Sequence, residues 1–270
     1  MKLSDAGELG LLAELESLGL IVGTEHDAAE LEPGLVVTQD ALVEGVHFRL
    51  DWLSWRELGF RAAAVNISDL SASAARPEAL LVTLAAPSHT PVEDVVELYK
   101  GIAAAGVPVR GGDTTRAGAV AISVTAIGRS ARVPGRAGAQ PGDLVVVTGP
   151  LGAAGAAFRE GRYVRPPLRI EEGLRLGSVA TAMLDVSDGL AVDAGHVARR
   201  SGCRLVVDLD AVPLAGTLDD LAFGEDFELL ATTPDPLDFP VVGRVEEGEG
   251  VLLLRGGEPT ELAGYEHFSG

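Results

Sequence analysis

The stretch Arg129 to Gly142, RSARVPGRAGAQPG, mixes glycine, proline and basic residues in a way that no continuous helix or strand tolerates. On either side of it, apolar runs of both helical and strand character recur, so the chain is expected to fold as two mixed halves, residues 1–130 and 131–270. A length of 270 residues suits two domains better than one, and 47% hydrophobic with 23% charged residues describes a chain able to bury a core.

Within the first half, Leu35 to Thr38 is a short β-rich run, and Glu57 to Ala75 places Phe60, Ala64, Ile67 and Leu70 at helical spacing, with Asn66 and Asp69 on another face. Ala79 to Ala86 reads as a strand. Thr90-Pro91-Val92-Glu93 then reads as a capping box with proline at the first helical position, opening a helix to about Ala105. A strand, the loop Gly111 to Thr115 and another strand are expected next. The second half predicts a strand at Leu144 to Thr148, an alanine-rich helix after Gly152, and a helix near Glu171 to Ala182. A helix ending near Arg200 follows, then strands at Arg204 to Leu209, Phe227 to Thr232, Val241 to Val245 and Val251 to Leu254.

The formal net charge is −19, and Lys2 and Lys100 are the only lysines. Phosphate backbones and anionic membranes need clustered basic residues, so neither nucleic acid nor a membrane surface is an expected partner. The N-terminus carries acids where a secretory signal begins basic, and no long uncharged apolar run is present, which predicts a cytoplasmic protein. The lone Cys203 excludes an intramolecular disulfide and a cysteine zinc cluster, and it reads as a small core residue.

Asp27, Asp40, Asp69, Asp113, Asp185 and Asp188 each sit beside small or polar residues near the end of an apolar run. Carboxylates gathered in one cleft repel each other unless cations neutralise them, and hard oxygen ligands select magnesium or calcium. Such a site commonly handles phosphate. Taken singly, each cluster keeps a structural alternative. Asp40 can be a turn former, Gly111-Gly112-Asp113-Thr114-Thr115 a plain turn or a phosphate cradle, and Asp188 a helix cap. Asp69 lies inside an apolar helix, where a carboxylate needs either a metal or a hydrogen-bond network.

Taken together, the clusters resemble the thiamine-monophosphate kinase family, in the superfamily that includes aminoimidazole ribonucleotide synthetase and selenophosphate synthetase. The resembling segments are His26-Asp27-Ala28-Ala29, Thr38 to Phe48, Ala64 to Leu70, Gly111 to Thr115, Gln140 to Gly149, Asp185 to Leu190, Gly224 to Leu229 and Gly264 to Phe268, spanning nearly the whole chain. The resemblance implies an α/β (α+β) fold of two domains. The N-terminal one would be a mixed sheet with helices that dimerises, and the C-terminal one an α/β domain closing over nucleotide and substrate.

The resemblance further implies magnesium ligation by Asp27, Thr38, Asp40, Asp69, Asp113, Asp185 and Asp188, with Asp40, Asp69 and Asp113 central to catalysis. ATP contacts would come from Gly112, Asp113, Arg136 and Ser187, and thiamine-monophosphate contacts from His47, Glu225 and Tyr265. The implied reaction moves the γ-phosphoryl group of ATP onto the phosphate of thiamine monophosphate within a homodimer. The chain departs from the family's usual pattern at His26 (paired aspartates), Gln39 (Thr or Ser) and Arg61 (lysine). Its connections around Gly161 to Arg165 and Leu214 to Gly224 are also short. Another ATP-dependent reaction of the superfamily, or a nucleotide-binding homologue without catalysis, are the competing expectations.

Overall fold

The computed structural model describes residues 2–22 and 26–262. Its elements run α1 (Leu3–Ser17), β1 (Ala29–Glu32), β2 (Leu35–Val43), α2 (Trp55–Ala72), β3 (Arg76–Ala86), α3 (Val92–Ala103), β4 (Val109–Arg116) and β5 (Ala121–Arg129). After the Gly/Pro-rich stretch come β6 (Leu144–Val147), α4 (Ala153–Arg159), α5 (Ile170–Gly177), β7 (Ala182–Asp185), α6 (Leu190–Ser201) and β8 (Arg204–Asp208). A short 3-10 turn at Leu218–Ala222 precedes β9 (Leu229–Thr233), β10 (Val241–Glu246), β11 (Gly250–Arg255) and β12 (Glu258–Thr260).

The strands form two sheets, ordered β1-β2-β5-β3-β4 and β12-β11-β8-β10-β6-β9-β7. Only β3–β4 in the first and β8–β11 in the second are parallel pairs among those described. Alternation divides each strand between faces. In β5, Ile122, Val124 and Ala126 are buried with α2, while Ser123 and Thr125 on the opposite face bond to the side chain of Gln39. In β6, Val145 and Val147 join the core beneath α6, while Val146 joins the core shared with Leu176 of α5.

Helix α2 positions the rest. Ser54 caps it, accepting from the Glu57 amide while the Glu57 carboxylate accepts the Ser54 amide at 2.7 Å. Fourteen of its 18 residues are buried, because it packs on β2 and β5 of the first sheet, on β7 and β9 of the second, and on α3 and α5. Small residues make this possible. A Cβ on Gly59 would lie 1.9 Å from the Leu98 carbonyl oxygen, and one on Gly173 of α5 would lie 2.3 Å from that of Ser71.

Four local expectations are corrected. Gly111 to Thr115 is not a loop but the middle of edge strand β4, where a Cβ on Gly112 (φ +148°) would fall 1.8 Å from the Val82 carbonyl oxygen. Pairing with β3 fixes these glycines, and local turn preference loses. Pro91 is the N-cap residue of α3 and not its first helical position, and no side-chain capping bond forms there. α5 stops at Gly177, whose Cβ would meet Ala74 at 2.2 Å, so the predicted helix to Ala182 gives way to β7. Asp188 does not cap α6; Gly189 is the N-cap, with φ +106°.

Candidate active site

A cleft of about 400 Å³ opens where α2, β2, β7 and the 223–227 segment meet. Arg61, Val65 and Asp69, four residues apart, form one stripe of α2 along its wall. The row of β2 that faces α2 runs Val36, Thr38, Asp40, Leu42, so Thr38 and Asp40 come to the cleft by strand alternation.

At one end, four carboxylates gather. Thr38 Oγ1 donates to Asp69 Oδ2 at 2.5 Å, and Ser68 Oγ donates to Asp185 Oδ2 at 2.5 Å across the two halves of the molecule. The Asp40 amide donates to Asn66 Oδ1 at 2.9 Å, which ties β2 to α2 beside the carboxylates. Asp27 is held by Arg136, whose Nε and Nη2 lie 2.7 and 2.6 Å from Oδ1.

The electrostatics are those of a cluster short of positive charge. Burial, then repulsion from Asp40, Asp185 and Asp27, holds the Asp69 carboxyl well above the usual range. Burial and then Asp27 push Asp185 up to about 8. Burial raises Asp27 as well, against the opposing pull of Arg136. Asp27 Oδ2 is buried without a hydrogen-bond partner. An orphaned buried carboxylate oxygen among mutually repelling acids is the donor set a hard divalent cation requires, so these residues fit magnesium.

The other end of the cleft has aromatic and paired-charge character. Arg61, 2% exposed, lies 2.5 Å from Glu225 Oε1 as an ion pair, while its Nε and Nη2 form no aligned hydrogen bond. Its guanidinium sits 5.1 Å from the Tyr163 ring and 6.0 Å from that of Phe227, and Phe158 and Phe223 complete the wall. Glu225 (φ +57°) and Phe227 (φ +52°) are both left-handed, an uncommon conformation for side chains of this size. The bend is fixed by Glu225 and Phe227 amides donating to the Ser187 and Val186 carbonyls at 2.8 and 2.9 Å. Gly224 cannot carry a side chain there, since its Cβ would stand 2.2 Å from the Ser187 carbonyl oxygen. His47 also lines the cleft; its Nδ1 accepts the Val43 amide at 3.1 Å, which leaves the proton on Nε2.

The remaining acids of the 224–229 segment serve the scaffold. Asp226 accepts from the amides of Gly152 and Ala154 at the start of α4. Glu228 takes a two-pronged bond from Arg169 and a third from Thr148 Oγ1 at 2.6 Å.

The structure thus brings Asp27, Thr38, Asp40, His47, Asp69, Arg136, Asp185, Ser187, Asp188 and Glu225 to one cleft. Gly112 and Asp113 do not line it; they lie exposed on β4 at the edge of the first sheet. Tyr265 falls outside the described residues. Sequence reasoning missed Ser68, Phe158, Tyr163 and Phe223, none of which stands in a pattern that separates it from core packing.

Asp188, Asp193 and His196 form a further group, their ligating atoms within 4.8 Å of one another. Arg199, always a donor, lies 2.8 Å from His196 Nδ1, so the ring proton sits on Nε2 and the ring is a hydrogen-bond donor, not a metal ligand. Burial, then Arg136, Arg199 and Arg200, lowers this histidine to about 4 and keeps it neutral.

Two family models match the chain: AIR synthase related protein, N-terminal domain, over residues 25–130, and AIR synthase related protein, C-terminal domain, over residues 140–262. Thiamine-monophosphate kinase from Aquifex aeolicus is 32% identical, covering 99% of this chain and 100% of the relative. The enzyme of that name from Pyrococcus horikoshii is 34% identical, with 87% of each chain covered. Among solved structures, AaThiL complexed with AMPPCP and TMP superposes with a TM-score of 0.90 at 33% identity, covering 99% of both chains.

Proposed function

The chain belongs to the thiamine-monophosphate kinase family, and from that membership we propose that its cleft transfers the γ-phosphoryl group of ATP to the phosphate of thiamine monophosphate, giving thiamine diphosphate and ADP. The carrying observation is one cleft with two chemically opposite ends. A carboxylate cluster suited to magnesium stands at one, and a walled, aromatic, acid-bearing end suited to a flat cationic ring stands at the other.

Asp27, Thr38, Asp40, Asp69, Asp185 and Asp188 would hold magnesium, which supplies charge neutralisation for the phosphates. Arg136 and Ser187 bind and orient the nucleotide. Glu225, fixed by Arg61, offers its carboxylate to the thiamine ring system, and the protonated Nε2 of His47 donates to an acceptor oxygen. Tyr265 adds an aromatic face in this reading. The acceptor phosphate is already ionised and nucleophilic at neutral pH, so alignment and charge stabilisation suffice and no strong general base is required.

Residues 1–130 act in this reading as the metal-binding, nucleotide-binding and dimerising half, and 131–270 as the half closing over nucleotide and substrate. A homodimer joined through the first sheets covers the exposed β4 and gives Gly112 and Asp113 a route to a cleft they do not line within one chain. A cytoplasmic setting belongs to this reading; the chain carries a formal net charge of −19, and among the described residues no helix is long and apolar enough to cross a membrane. ADP release measured with thiamine monophosphate, thiamine and aminoimidazole ribonucleotide precursors tests the assignment. Turnover is expected with thiamine monophosphate only. Asp40→Asn and Asp69→Asn should each lose about 3 kcal/mol or more of transition-state stabilisation; near-normal turnover in either would remove that residue from the metal site.

A further inference from the structure

The segment between β7 and α6 carries Ser187 and Asp188 into the cleft, and it is gripped from both sides. On one side the Ser187 carbonyl accepts the Glu225 amide at 2.8 Å. On the other, Asp193, only 3% exposed in the first turn of α6, accepts the Ser187 and Asp188 amides through a single oxygen, Oδ2, at 3.1 and 3.0 Å. An acid near a helix start ordinarily satisfies amides of that helix's own first turn. Asp193 instead reaches back beyond the N-cap Gly189 to two residues outside the helix. His196, three residues further along α6, has a ring nitrogen within 4.8 Å of carboxylate oxygens of Asp188 and Asp193, and Arg199 lies 2.8 Å from its Nδ1.

We infer that Asp193 is a positioning residue for the phosphoryl-transfer reaction: by holding the Ser187 and Asp188 amides, its carboxylate aims the Ser187 hydroxyl and the Asp188 carboxylate at the metal-bound nucleotide. This rests on the reading of Ser187 and Asp188 as nucleotide and metal contacts. Glu225 keeps an independent anchor in Arg61, so loosening the segment acts on the nucleotide more than on the acceptor.

The test compares Asp193→Ala and Asp193→Asn in the full chain, by steady-state kinetics and by hydrogen exchange at the Ser187 and Asp188 amides without ligand. In Asp193→Ala, half-saturating Mg·ATP should rise tenfold or more and the acceptor KM less than threefold, with both amides losing protection. Asp193→Asn keeps a carbonyl oxygen able to accept both bonds and should restore the ATP KM to within threefold of wild type. Retained protection in Asp193→Ala overturns the clamp itself, whatever the reaction. Lost protection with an unchanged ATP KM overturns the positioning role and faults the assignment of Ser187 and Asp188, not the clamp. An Asn variant as impaired as Ala overturns it too, since charge and not acceptance would then matter. Should Asp193→Ala fail to fold, rapid exchange of the two amides in the wild type overturns the inference directly.

Discussion

Replacing Asp185 by Asn should make the protein more stable and less active. Asp185 is 5% exposed, accepts from Ser68, and is pushed from 3.8 to about 8 by burial and by the neighbouring Asp27. Its folded pKa therefore lies above its unfolded one. Between those values the folded protein keeps a proton that the unfolded chain has released, so this group's contribution is fully present below about 3.8 and is lost as pH rises through about 8. Carried to pH 7, the difference corresponds to about 4 kcal/mol. The buried amide brings its own desolvation cost, so a net gain of about 2 kcal/mol is expected, or roughly 4–8 °C in Tm for a chain of this size. Thermal melts in EDTA from pH 5 to 8 provide the assay. Wild type should lose stability as pH rises through this range, and Asp185→Asn should change less. Added magnesium should reverse the ranking, because a ligand bound only by the folded state adds about 2.7 kcal/mol at a hundred times its Kd and the variant lacks one of the donors. An Asp185→Asn protein less stable than wild type in EDTA at pH 7 would refute the reasoning, since the carboxylate would then be a net structural asset without metal.

Two further outcomes follow from the same principles. Asp226, raised to about 6 chiefly by burial, contributes stability below its unfolded value that is lost as pH rises through about 6. Asp226→Asn should therefore gain at most about 3 kcal/mol above pH 6 and nothing near pH 3, read by urea melts at both values. Cys203, 2% exposed in the core beneath α6, should tolerate Ala at a cost of about 1–2 kcal/mol with unchanged turnover; lost activity in the folded variant would give the thiol a role the geometry does not.

Much of the cleft was legible because its residues obey simple periods. Thr38 and Asp40 share a strand face, Asp69 interrupts an apolar helix, and Asp185 ends an apolar run; each anomaly marks a carboxylate that folding alone does not explain. Long-range pairing hid the rest. Gly111 and Gly112 carry the local signature of a turn, yet both pair with β3, and at Gly112 the neighbouring strand needs the space its missing side chain leaves. Tyr163 and Phe158 look like ordinary core aromatics, and only the fold shows that both line the cleft and that Tyr163 stands beside a buried arginine. Asp193 was invisible for a different reason, since its partners are backbone amides, which every sequence supplies equally.

Helix α2 serves both sheets at once, and this limits how the molecule can move. Its backbone touches α3 through Gly59 and Gly101 and α5 through Gly173, with no side chains between to act as a lubricating layer. The same helix sends Ser68 to Asp185 and Arg61 to Glu225 in the second half. Swinging one half against the other about the Arg129–Gly142 connection would drag this common axle with it and break both cross-links together. Widening of the cleft is thereby confined to local shifts of its lining segments, and even the 158–166 segment and the turn before β9 meet α2 through Arg61 and its contacts with Tyr163 and Glu225. Any closing over nucleotide and substrate then comes from local segments of the second half settling onto a stiff frame, not from a clamshell swing of one whole half against the other.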